Sequence, residues 1–92
     1  MRIEYDAEKS ARNDEIRRLP FSLVEGFDWD SAMVLEDTRH NYPEQRFQAI
    51  GLIGARLHVL VFAPVPDGIR VISLRKANAR EEKRYEKAAP QA

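Results

Sequence analysis

The stretch Ile69-Arg70-Val71-Ile72-Ser73-Leu74-Arg75-Lys76 sets polar side chains among β-branched apolar ones. A strand that ends in stacked cations can hold phosphates, because arginine is always charged and offers a planar fork of donors. The plainer alternative is that these bases lead into a solvated helix with Glu/Lys pairs, and composition by itself favours that alternative. The two histidines, His40 and His58, have no further His or Cys to complete a metal site. No cysteine is present, so neither a disulfide framework nor a thiolate metal site is available.

The elements that must position these side chains follow from pattern. Leu57 to Phe62 is apolar on both faces except for His58, as in a central strand covered on both sides. It pairs with Ile69 to Lys76 across a loop at Ala63 to Gly68 that is rich in turn formers. Arg2 to Tyr5 alternates and reads as a short edge strand. Asp6 is an N-cap, with Lys9 where a capping box would want Glu. Ala7 to Arg18 is a largely solvated helix that Pro20 stops. Phe21 to Phe27 fits two turns of helix ended by Gly26, and Trp29 is a packing anchor. Ala32 to Arg39 and Arg46 to Ile53 are strands around the loop Arg39 to Glu44, and Gly54-Ala55 turns into the central arm. Ala79 to Ala88 is a helix with a thin apolar side, and 89–92 is a loose tail. Strands joined this closely pair antiparallel, which gives one α+β domain with helices on one face of a small twisted antiparallel sheet.

Ninety-two residues suffice for one core. Net charge is zero, which argues against a simple polycation. The charge is uneven: residues 21–44 carry six acids against Arg39, while 70–92 carry seven bases against three acids. No apolar run approaches the roughly 20 residues of a membrane span. No signal peptide is visible, since Met1 to Asp6 turns acidic at once, and the expected location is the cytoplasm.

The ordered set of motifs resembles the BrnT family of bacterial toxins. The opening Ile3-Glu4-Tyr5-Asp6, then Lys9 and Asn13, then Phe21, is similar to the family's opening. The middle matches at Glu36-Asp37-x-Arg39, at Arg46-Phe47-x-Ala49-Ile50-Gly51 and at the turn Gly54 to Leu57. The most specific piece is Arg70-Val71-Ile72-Ser73-Leu74-Arg75-Lys76-Ala77, followed by Arg80-Glu81 and Tyr85. Two places depart: Ile16-Arg17-Arg18 stands where the family often has Lys-His-Gly, and Ala63 to Gly68 where it often has Thr-x-Arg-Gly.

The resemblance implies a RelE-like fold and a ribonuclease that needs no cofactor or metal and slows translation. It implies a BrnA-like antitoxin partner, in a heterotetramer of two toxins and two antitoxins, with operator DNA bound only through the antitoxin. Metal-free RNA cleavage needs a base near the ribose hydroxyl, a cation at the phosphate and an acid for the leaving oxygen. Arg75 is the first choice for the cation, and Arg46 and Arg70 are strand residues that can converge with it. His58 suits acid–base work by its ordinary pKa, though a lone core histidine is more often simply packed. Tyr85 offers a hydroxyl or a stacking surface, with packing of the last helix as its rival role. Lys76 and Arg80 can hold the RNA backbone or an antitoxin carboxylate. Lys9 and Asn13 share a helix face and can line the cleft, or serve as cap and surface. The two departures leave open a weak or inert domain that acts through its partner.

Overall fold

The computed structural model describes residues 1–88. In chain order these form β1 (Arg2–Glu4), α1 (Ala7–Arg17), a 3-10 segment (Phe21–Gly26), β2 (Met33–Glu36), β3 (Phe47–Ile53), β4 (Arg56–Val65), β5 (Gly68–Lys76) and α2 (Ala79–Ala88). The strands make a single sheet in the order β1-β5-β4-β3-β2. β4 is its central strand, and His58 to Ala63 are buried without a break. That continuity is what an apolar run with no polar face requires.

Local chemistry sets the helix bounds. The Asp6 carboxylate accepts the Glu8 and Lys9 N–H groups at 2.8 and 3.2 Å and caps α1. Arg18 turns left-handed at φ 60, its N–H donates to Asp14 O at 2.8 Å, and Pro20 prevents continuation. The Phe21–Gly26 segment is 3-10 rather than α. It is held between Pro20 and a bridge from Phe27 to Ile53, and it still buries Phe21 and Val24. Trp29 packs edge-on against Phe27 and Phe62, with ring centroids 4.8 and 5.3 Å apart.

The sheet is mixed, not antiparallel. β1 runs parallel to β5, with Ile3 opposite Ile69, while the other three pairings are antiparallel. About two thirds of the chain separates β1 from β5, so no tight turn constrains their relative direction. The helices also lie on both faces. Leu19, Phe21, Val24 and Phe27 pack on the face of Ala49, Leu60 and Leu74. Tyr85 of α2 packs on the opposite face with Ile50, Val59 and Ala77. β2 stops at Glu36, short of the expected Arg39, and Asp37 N–H instead closes the loop on Arg46 O at 2.8 Å. The expected loose tail, 89–92, lies outside the described residues.

The β4–β5 connection is shorter than its composition suggests. Ala63-Pro64-Val65 continue the strand, and only Pro66-Asp67 turn, with Asp67 at φ 65. Pro64 is tolerated because β3 has already ended its pairing at Phe62, so β4 has a neighbour on one side only at this point. β1 crosses close to this turn. A Cβ on Gly68 would lie 1.7 Å from Arg2 O. Gly68→Ala is therefore expected to push β1 off the sheet and cost about 1–3 kcal/mol. Urea unfolding, with loss of amide protection at Ile3, checks it.

Candidate active site

A bulge in the hairpin decides which side chains meet. The pairing shifts between Val61 and Phe62, where Ser73 faces Val61 but Val71 faces Phe62. Ile72 is the extra residue. Arg70, Ser73 and Arg75 lie opposite Ala63, Val61 and Val59, and so share one face of the sheet. In a regular strand, Arg70 and Arg75 would have pointed to opposite faces.

Arg75 makes a two-pronged ion pair with Glu81 of α2. Its Nη1 donates to Glu81 Oε1 at 2.7 Å and its Nη2 to Oε2 at 2.6 Å. Glu81 is itself fixed by a reciprocal cap. Asn78 N–H donates to Glu81 Oε1, and Glu81 N–H donates to Asn78 Oδ1, both at 2.9 Å. The guanidinium holds Glu81 below its ordinary carboxylate pKa, and Glu81 in turn raises that of Arg75. Arg75 stays partly open to solvent, with a third of its side chain exposed. The spacing Asn78-x-x-Glu81 is the signal in the sequence for this carboxylate.

Further arginines border the same region. Arg39 lies near enough for its charge to oppose that of Arg75. Its Nε and Nη2 donate to Asp37 Oδ1 and Oδ2, each at 2.8 Å. The Asp37 side chain is only 1% exposed. Arg39 hydrogen bonds hold its pKa at about 2, against burial, which pushes the other way. A depressed carboxylate stabilises the fold above its unfolded pKa, near 3.9, and loses that contribution as pH falls through about 2. Acid unfolding between about pH 4 and 2 is thus expected to flatten in Asp37→Asn, as followed by thermal melts across pH. Arg46 and Arg70 converge on one oxygen, Glu44 Oε1, at 3.3 and 2.8 Å. Arg46 also lies over the Tyr42 ring at 4.1 Å, and its buried Nε lacks a hydrogen-bond partner in the structure.

Of the other expected site residues, Tyr85 lies on the same face as Arg75 and the rest stand elsewhere. His58 is opposite Gly51 and Lys76, on the face away from Arg75, and is 4% exposed. Its Nδ1–H donates to Arg56 O at 2.9 Å, and burial pushes its pKa down. Tyr85 is half-buried, one helical turn beyond Glu81, and packs on Ile50 and Val59. Asn13 is a structural tie: its amide donates to Leu19 O at 2.6 Å and to Leu74 O at 2.9 Å. Lys9, Lys76 and Arg80 are exposed and make no ion pair among the described residues. Among the described residues, no three His, Asp or Glu side chains converge on a metal-sized site, and no helix is long and apolar enough to cross a membrane.

Comparison with known proteins adds one finding. No curated protein and no solved structure matches the chain significantly. A family model described as the ribonuclease toxin BrnT of type II toxin–antitoxin systems matches residues 5–81. The matched span reaches from Tyr5 to Glu81, so it holds both members of the Arg75–Glu81 pair. The chain therefore belongs to the BrnT family of ribonuclease toxins of type II toxin–antitoxin systems.

Proposed function

We propose that this protein is an endoribonuclease that cleaves RNA without a metal and so inhibits translation in the cytoplasm. The observation that carries the reading is the Arg75–Glu81 pair: a fork of donors and a carboxylate, joined at 2.6–2.7 Å on a partly open surface. In this reading, phosphate takes over part of Arg75 from Glu81, and Arg75 holds a non-bridging oxygen. Glu81 takes the proton of the ribose 2′-hydroxyl, and the 2′-oxygen attacks phosphorus. The P–O5′ bond breaks, the leaving oxygen takes a proton from water, and a 2′,3′-cyclic phosphate results. Arg46 and Arg70, joined through Glu44, lie along the same face as further phosphate contacts. Tyr85 serves to dock α2, and His58 serves as packing.

The same reading takes the five-stranded sheet flanked by helices as a single RelE-like domain over 1–92. The toxin's antitoxin is BrnA-like, in a two-plus-two complex that touches operator DNA only through the antitoxin. One observation favours a second reading. Both terminal nitrogens of Arg75 are already engaged by Glu81, as in an inert domain that acts through its partner alone. Expression of the chain alone from a tight inducible promoter separates the two. Growth arrest relieved by Arg75→Ala supports the nuclease, whereas unimpeded growth with soluble protein supports the inert domain.

A further inference from the structure

One basic surface runs along the open edge of β5, beside the face that bears the Arg75–Glu81 pair. β1 covers β5 only at Gly68 to Arg70, so beyond that point the outer side of β5 has no neighbouring strand. α1 lies along this open side, tied to it by Asn13. Two cavities follow the seam. One of about 220 Å³ is lined by Lys9, Arg12 and Arg17 of α1 together with Ile72 of β5. The next, of about 250 Å³, is lined by Arg17, Leu19, Arg75 and Lys76. Arg17 lines both, so the two adjoin across its side chain, and the second reaches Arg75. Lys9, Asn13 and Arg17 recur at four-residue steps along one side of α1, and Arg12 lies one turn from Lys9, so all four border the first cavity. No acidic side chain lines either cavity. Among the described residues, Lys9, Arg12, Arg17 and Lys76 have no ion-pair partner within 4 Å.

We propose that this groove between α1 and the open side of β5 binds the phosphate backbone of single-stranded RNA as it leaves the scissile position at Arg75. The inference rests on the ribonuclease reading and adds Arg12 and Arg17 to it. Unpaired cations cost nothing to strip from a carboxylate, so they are free to replace the counterions of a polyanion. From Lys9 to Arg17 the helix rises about 12 Å, room for a short run of nucleotides. Ile16, which is 71% exposed, stands beside the cations as an apolar surface for a base. An acidic protein segment would satisfy the charges too. The continuity of the groove with Arg75 favours RNA.

The test uses a fluorescent single-stranded RNA with 2′-O-methyl at every position, which cannot be cleaved by attack of its own hydroxyl. Its affinity is measured from 50 to 200 mM salt for the parent, for Arg12→Gln/Arg17→Gln and for Lys83→Gln on exposed α2. The double variant should bind with a salt slope shallower by about 1.4, since each phosphate contact contributes roughly 0.7 for a single strand. Its affinity at the low-salt end should fall severalfold, and Lys83→Gln should match the parent. Circular dichroism confirms that the double variant folds. A parental slope in the double variant, an equal loss in Lys83→Gln, or no binding by the parent would overturn the proposal. So would a double variant that binds RNA normally yet escapes its antitoxin, which would assign the groove to an acidic protein segment. If the parent cleaves no RNA but the double variant loses slope, the groove stands as a polyanion site and the nuclease reading falls. If Arg75→Ala abolishes cleavage but the double variant keeps the parental slope, the reverse holds.

Discussion

Arg75→Ala is expected to lower the rate of RNA cleavage by about 10²–10³-fold, the usual cost of removing one donor aimed at developing negative charge. Arg75→Lys is expected to recover little. Lysine keeps the charge but not the fork, and only the fork reaches both Glu81 oxygens at 2.6–2.7 Å. The fold should survive both changes, because Arg75 is partly exposed and its loss leaves Glu81 capped by Asn78. Single-turnover cleavage of a defined RNA, with circular dichroism as a control, reads the effect. A variant that cleaves at the parental rate would move the chemistry away from β5.

Glu81→Gln is expected to cost about 10²–10⁴-fold in the same assay, the range for losing a positioned general base. Glutamine can still accept a hydrogen bond from Arg75 and from the Asn78 N–H, so position is largely kept while the proton acceptor is lost. The pH profile separates the two roles. In the parent, the rate should fall on the acid side as Glu81 is protonated. That fall should come below the ordinary glutamate pKa of about 4.3, because Arg75 holds the carboxylate down. In Glu81→Gln the acid limb should vanish. If Glu81 only positions Arg75, the limb should persist in the variant and the loss should be small.

The hairpin was the most legible part of the chain. A β-branched run with His58 as its single polar interruption could only be a buried strand, and the central place of β4 follows from that. Asp6, Pro20 and the α2 span were also readable, since each is set by a few neighbouring residues. The parallel pairing of β1 was not. Three residues carry no pattern that names a partner some 65 positions away. The docking of α2 on the face opposite the 3-10 segment was equally hidden, because a thin apolar side built on Tyr85 suits either face.

The site was legible in type but not in geometry. Arg70 and Arg75 are five residues apart, and only the bulge at Ile72 turns both to one face. Bulges depend on cross-strand register, which local sequence does not print. Glu81 was readable as the third residue of a capping box but not as the partner of Arg75, because that pairing is tertiary. Asp37 reads as part of the strand Ala32 to Arg39, yet the strand stops at Glu36, and Arg39 and Tyr42 enclose the carboxylate almost completely. His58 illustrates the converse. Its residue type suggested chemistry, but its position on the strand buried it on the far face.

The most direct measurement is the chemistry of the cut ends. Purified protein is incubated with a 5′-labelled single-stranded RNA in excess EDTA, and the fragment termini are identified by mass. The account predicts fragments ending in 2′,3′-cyclic phosphate, formed by the parent and strongly reduced in Arg75→Ala and Glu81→Gln. Fragments ending in 3′-hydroxyl, or cleavage that stops when EDTA is added, would contradict it.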